Sequence, residues 1–224
     1  MSILSEITTE NYLKTIVKAL ALPEKKLITT GELSRLMGVT PGTATAMIKR
    51  LEKEGYLEYK SHYGCSLTKK GEEFGVAILR RHRLLETFLT AVLHMNDEEV
   101  HAEAERLEHA VSDTLIDRID SYLGFPAVDP HGAPIPQKNQ KTYQLSGIRL
   151  ASAPEGIPLQ VLSLEKSPEL TAYFRKINLE QGSMLQIKGK NEAIGLAELI
   201  INKKTTECAL CMLDKIIVSV PEKQ

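Results

Sequence analysis

This 224-residue sequence lacks any apolar run long enough to be a membrane span, which takes about 20 predominantly apolar residues. The stretch from Met1 to Glu10 has no basic segment followed by an apolar one, so no secretory signal is expected. Cysteine is scarce and odd in number. Cys65, Cys208 and Cys211 cannot form a disulfide framework, and they suit a reducing, cytoplasmic setting. Net charge is nearly absent too, with 28 Lys and Arg against 29 Asp and Glu. Phosphate contacts supply most non-specific DNA affinity, so any DNA-binding surface here must be a local concentration of basic residues. The abundant acidic groups would find partners in divalent cations. No His-Glu-x-x-His motif, phosphate loop or further nucleophile is evident, which argues against a metalloenzyme.

What is present is ordinary globular composition, 42% hydrophobic and 25% charged, on a length suited to two or three small domains. Thr8 or Thr9 can cap a first helix carrying Tyr12, Leu13, Ile16, Val17 and Leu20 at helical spacing. After a polar connector at Pro23 to Lys26, Thr30 caps a short helix through Met37, and Gly38 ends it. Pro41 suits the first turn of a third helix, about Thr43 to Glu54. Alternation over Tyr56 to Lys60 and the run Cys65 to Thr68, around His62-Tyr63-Gly64, predict a hairpin. Helices are then expected from Lys69 to about Leu93, from Asn96 or Asp97 to about Ser112, and from Asp113 to Leu123. The segment Gly124 to Pro136 carries four prolines and must be loop, running into a polar linker to about Thr142. From Tyr143 onward short β-branched runs predominate, among them Leu159–Leu162, Met184–Ile187 and Ile216–Val220, with a helical piece at Pro168 to Lys176.

Helix, glycine turn, helix and hairpin in this order describe a winged helix-turn-helix, whose second helix can enter a DNA major groove. Its exposed positions are expected to be Thr40, Pro41, Gly42, Thr43, Thr45, Ala46, Lys49 and Arg50. Lys49, Lys53, Lys60, Lys69 and Lys70 supply the local positive charge that the net figure hides. The same fold can also serve protein contact alone.

The densest chemistry lies between His82 and His109. His82 and Glu86 are four residues apart, as are His101 and Glu105, and Glu105 and His109. Helical residues three and four apart share a face, so Glu105, Glu108 and His109 converge, and a neighbouring helix with His82 could complete a cage. Carboxylate and imidazole donors suit a first-row divalent ion. Cys208 and Cys211 are spaced like a redox or zinc pair but sit in an apolar run with no second pair, so packing is the expected role.

Taken together, Thr8 to Leu13, Arg81 to Glu86, Val100 to His109 and Asp129 to Pro136 resemble the diphtheria-toxin-repressor and manganese-transport-regulator family, over essentially the whole chain. The resemblance implies an α+β protein. Its parts would be a winged helix-turn-helix at 1–70, a helical dimerisation and metal-binding domain at 71–138, and a small SH3-like β-barrel at 139–224. It implies a primary site of Asn11, Glu105, Glu108 and His109, and a second of His82, Glu86 and His101. Some members use the loop matching Asp129-Pro130-His131-Gly132, which makes His131 a further candidate. Iron-type members have Met and Cys where this chain has Asn11 and Glu105, and manganese-type members have Asp and Glu. A carboxylate in place of a thiolate favours Mn²⁺. Members with a paired-metal site have Glu where this chain has Lys14. The function expected is a homodimeric, metal-dependent repressor, not an enzyme, that binds a palindromic double-stranded operator, responding to Mn²⁺ or alternatively Fe²⁺. The remaining alternative is a metal-independent regulator whose C-terminal domain binds a protein or small ligand.

Overall fold

The computed structural model describes residues 3–22, 24–165 and 168–219. Pro23, in the expected connector, and Val220, at the end of the expected last strand, lie outside them. The chain divides into two compact units, 1–130 with 134–145, and 131–133 with 146–224.

The first unit begins with α1 (Ile3–Ala19). This helix starts earlier than Thr8 or Thr9. The Thr9 hydroxyl donates to the Ser5 carbonyl at 3.0 Å, one turn back, instead of capping free amides. Two short helices follow, α2 (Thr30–Met37) and α3 (Pro41–Lys53). Thr29, not Thr30, caps α2: its backbone is extended and its side chain accepts from the Glu32 N–H at 3.2 Å. Gly38 closes α2 with φ of 65°, a left-handed conformation that glycine adopts at no steric cost. Thr40 caps α3, and Pro41 occupies its first turn, where a missing N–H costs nothing.

The wing is the antiparallel pair β1 (Leu57–Lys60) and β2 (Gly64–Leu67). Cys65 on β2 is buried, and its backbone exchanges hydrogen bonds with Ile28. Burial pushes its thiol pKa up to about 11, so it stays protonated. Tyr12, Leu13 and Ile16 of α1 pack with Leu33, Met47, Ile48, Leu51 and Leu57 to form the core beneath the wing.

Three helices complete this unit: α4 (Lys69–Ala91), α5 (Asp97–Leu107) and α6 (Asp113–Tyr122). α5 is shorter than expected. Glu108 caps it, Ala110 and Val111 both donate to the Leu107 carbonyl, and Ser112 already caps α6 through the Leu115 N–H. Leu84, Leu85 and Leu89 pack against Val100, Ala104, Ile116 and Ile119. α1 meets α4 at Gly75, where an added Cβ would lie 2.7 Å from Val17 Cγ2 and 2.8 Å from the Leu13 carbonyl oxygen. The Pro-rich loop is held by Arg83, which donates to the Pro134 carbonyl and, at 2.8 Å, to the Tyr143 hydroxyl.

The second unit is the β-rich domain expected. Its strands are β3 (Gly147–Arg149), β4 (Leu159–Leu164), β5 (Met184–Asn191), β6 (Leu196–Ile201), β7 (Lys204–Ala209) and β8 (Ile216–Ser219). They form an antiparallel sheet in the order β3-β8-β4-β5-β6-β7. α7 (Pro168–Lys176) packs Phe174 into its core, and the one-turn α8 (Leu210–Leu213) adds Leu213. Cys208 packs there as expected. Cys211 does not; it is exposed on α8.

Gly75→Ala is expected to lose about 1–3 kcal/mol of stability by forcing α1 from α4, read as a lower denaturation midpoint. An unchanged midpoint would show that the helix contact is not tight.

Candidate metal centre and DNA-binding face

α1, α4 and the end of α5 bring one network together. Lys14 of α1 places its Nζ 2.7 Å from Glu105 Oε1 and 2.6 Å from Glu108 Oε1. The other oxygen of Glu108 lies 2.7 Å from His82 Nδ1 on α4. His82 Nε2 is 3.1 Å from Glu86 Oε1, which in turn lies 3.0 Å from His101 Nδ1. His109, on the turn after α5, pairs through Nδ1 with the Glu10 carboxylate of α1. Its Nε2 sits 3.5 Å from Glu108 Oε1. The two ligand groups expected from the sequence are therefore joined through His82. Ligand atoms of His82, Glu86 and His101 approach within 4.8 Å of one another, and so do those of His82, Glu105 and Glu108.

Much of this network is dry. Lys14, His82, Glu86 and Glu108 are buried, while Glu105 is half-buried and His101 exposed. Four carboxylates (Glu10, Glu86, Glu105 and Glu108) stand in the network, and Lys14 pairs with two of them, Glu105 and Glu108. Buried charge is costly unless paired, so each buried carboxylate draws a cationic or hydrogen-bonding group to it. His82 reflects this. Burial alone would lower its pKa, but hydrogen bonds that its ring donates to Glu108 and Glu86, with the Glu86 charge, outweigh burial and raise it, with Lys14 opposing. For Glu105 burial pushes upward, yet the Lys14 hydrogen bond and charge, with His82 and His101, bring the net value down.

Asn11 Oδ1 and His109 Nε2 are among the buried polar atoms that lack a hydrogen-bond partner, as are Tyr12 Oη, Glu54 Oε2, Arg80 Nε and Thr90 Oγ1. Asn11 lies beside Glu10 and three residues before Lys14 on α1, so it shares the side of the helix that supplies the network. An amide oxygen, an imidazole nitrogen and two carboxylates are a donor set suited to a first-row divalent ion. The donor types present fit such an ion; of the two carboxylates, His109 stands near Glu108, and it is His82 whose ligand atoms group with both Glu105 and Glu108. His131, the remaining ligand candidate, is half-buried and belongs to the second unit.

Two participants, Glu10 and Lys14, were not among the expected ligands. A helix capped at Thr8 or Thr9 leaves Glu10 in a solvent-facing first turn. With α1 starting at Ile3, Glu10 and Lys14 stand one turn apart on one face in mid-helix. Their i,i+4 spacing was the available signal.

At the other end of α1's core lies the candidate DNA face. Thr40, Pro41, Gly42, Thr43, Ala46 and Lys49 are exposed at the start and along one side of α3, and Lys60 is exposed on the wing. Thr45 is half-buried, and its hydroxyl donates to the Pro41 carbonyl at 2.8 Å. Lys70 is engaged within the protein, donating to the Glu54 carbonyl and lying 4.0 Å over the Tyr56 ring.

Comparison with known proteins gives the family. Residues 5–65 match the family model for the N-terminal DNA binding domain of iron dependent repressors, and residues 68–137 match that for their metal binding and dimerisation domain. The iron-dependent repressor IdeR of Mycobacterium leprae is 31% identical over 164 residues, 69% of this chain and 70% of that one. The chain belongs to the iron-dependent repressor family. The repressor is also 29% identical over 203 residues to the diphtheria toxin repressor of Corynebacterium efficiens, across 88% of this chain and 84% of the other. Among solved structures, a manganese-dependent transcriptional repressor in complex with manganese aligns at TM-score 0.75 and 34% identity, across 94% of the repressor and 99% of its counterpart. The α+β architecture, with a winged helix, a helical domain and a β-rich SH3-like domain, is that of these repressors.

The raised His82 pKa has a definite consequence for stability. Its folded value exceeds the unfolded value of about 6.5, so protonation favours the folded state. That contribution is complete below about pH 6.5 and is lost as pH rises through the folded value. In metal-free protein, the excess melting temperature of wild type over His82→Gln should shrink as pH is raised above about 6.5. A difference independent of pH would mean that His82 is not a protonated bridge.

Proposed function

We propose that the repressor is switched on by a divalent transition metal, Mn²⁺ in preference to Fe²⁺, held by Asn11, Glu105, Glu108 and His109. His82, Glu86 and His101 supply a second set of donors, and His131 is proposed as a further ligand on the family resemblance alone. The repressor would act in the cytoplasm as a homodimer on a palindromic duplex. Its working parts would be DNA binding at 1–70, dimerisation and metal binding at 71–138, and an SH3-like domain at 139–224. The observation that carries the reading is His109 Nε2, without a hydrogen-bond partner and 3.5 Å from the buried Glu108 carboxylate, with Asn11 Oδ1 likewise unpartnered on α1. A hard oxygen set favours Mn²⁺. The iron reading is kept as a second because the M. leprae relative is named for iron.

α1 is the mechanical element. One side of it carries Glu10 and Lys14 to the cluster, and another places Tyr12, Leu13 and Ile16 in the core shared with Leu33 of α2 and Met47, Ile48 and Leu51 of α3. A shift of α1 would therefore reach α3 through that shared core. A bound divalent cation would supply positive charge to the carboxylates and a tie between α1 and the end of α5. Glu10 positions His109 by holding Nδ1, which leaves Nε2 as the donor atom. For DNA binding to respond, the metal must favour the DNA-competent arrangement. Support for a homodimer comes from the match of residues 68–137 to a metal binding and dimerisation domain; Leu115, Tyr122 and Phe125 are large apolar side chains exposed on and just after α6.

Duplexes selected from a random library with Mn²⁺ present should be inverted repeats and should shift in a gel with Mn²⁺ but not with EDTA. Glu105→Ala should abolish that shift while leaving the dimer intact. Equal retardation with and without metal would establish the metal-independent alternative. Separately, Glu10→Gln should weaken Mn²⁺ binding by about 10–100-fold, the usual effect of losing a carboxylate that orients a ligand histidine. Unchanged affinity by calorimetric titration would remove Glu10 from the site.

A further inference from the structure

Lys14 is only 3% exposed, and lysine is rarely found so buried unless paired. Its ammonium bridges one oxygen of Glu105, at 2.7 Å, and one of Glu108, at 2.6 Å. These are two carboxylates of the proposed ligand set, and Glu108 has no exposed surface. Glu105 and Glu108 stand at the end of α5 and Lys14 stands on α1. The ammonium therefore does what a metal there would do: it neutralises the carboxylates and ties the two helices.

We propose that Lys14 is a built-in cation that closes the site in metal-free protein and competes electrostatically with the divalent ion, so that it sets the metal concentration at which the repressor responds. The inference rests on reading the cluster as a metal site. Its physical basis is that two cations are drawn to the same carboxylates. The ammonium lowers the demand of Glu105 and Glu108 for further positive charge and repels an ion brought against them. A neutral residue at position 14 has two effects of the same sign for metal affinity. The metal-free state loses a buried pair and is weakened, and the metal-bound state loses a repulsion.

The test compares wild type, Lys14→Gln and Lys14→Arg. Mn²⁺ affinity and stoichiometry are read by calorimetric titration, and amide exchange of α1 is read in EDTA. Lys14→Gln should bind Mn²⁺ on the order of tenfold or more tightly than wild type, and its α1 amides should exchange faster in EDTA. Lys14→Arg, which keeps the charge, should stay close to wild type in both. A folded Lys14→Gln that binds Mn²⁺ no better than wild type overturns the proposal. If Lys14→Gln folds only with Mn²⁺ present, the ion has replaced the ammonium, as proposed. If it folds in neither condition, Lys14 is structural and the proposal fails. Failure of wild type to bind Mn²⁺ or Fe²⁺ would sink the metal-sensor reading by itself. The Lys14 proposal then survives only if Lys14→Gln gains Mn²⁺ binding.

Discussion

Glu108 has no exposure to water, and the structure around it is organised by that fact. A buried carboxylate must be met by positive charge or strong donors, because its desolvation otherwise costs several kcal/mol, an order-of-magnitude penalty. Here Lys14 comes to it from α1 and His82 from α4, with His109 Nε2 nearby. Each partner carries its own second carboxylate: Glu105 for Lys14, Glu86 for His82 and Glu10 for His109. A local charge problem thus fixes three helices against one another.

This arrangement gives α1 two roles. Leu13 and Ile16 are wholly buried in the winged core, while Lys14, between them in sequence, is buried in the cluster. Val17 continues on a third side against α4, where Gly75 allows backbone-close packing. A helix buried on several sides cannot move alone, so a change of charge balance at Glu105 and Glu108 bears on the winged core that α1 helps to build. Dense packing transmits such displacements because it has little free volume to absorb them.

The order of elements and most of the ligand candidates were legible from spacing. Thr40 and Pro41 announced α3, the alternation after Tyr56 announced the wing, and the i,i+4 pairs of His82 with Glu86 and His101 with Glu105 placed the donors on two helices. Errors clustered at helix ends. Thr9 looked like a cap because its residue type is favoured there, but its hydroxyl bonds back to Ser5 inside the helix. α5 stopped at Leu107 because Ser112 made a better start for the next helix than a continuation of the last. Those boundaries hid Glu10 and put His109 on a turn. Cys211 looked like core because its neighbours are apolar, yet α8 turns it outward.

By itself the sequence determined which kinds of group would be present and on which elements: imidazoles and carboxylates at helical intervals, small hydroxyl residues opening a short helix, β-branched runs after the proline-rich loop. These follow from local periodicity and capping, whose interactions span a few residues. Only the tertiary structure decided that His82 joins the two donor sets, that Glu10 orients His109, and that the buried ammonium of Lys14 lies between Glu105 and Glu108. Lys14 and Glu108 are 94 residues apart in the chain. Their encounter depends on how α1, α4 and α5 pack, and no local pattern records which side of each helix will face the others.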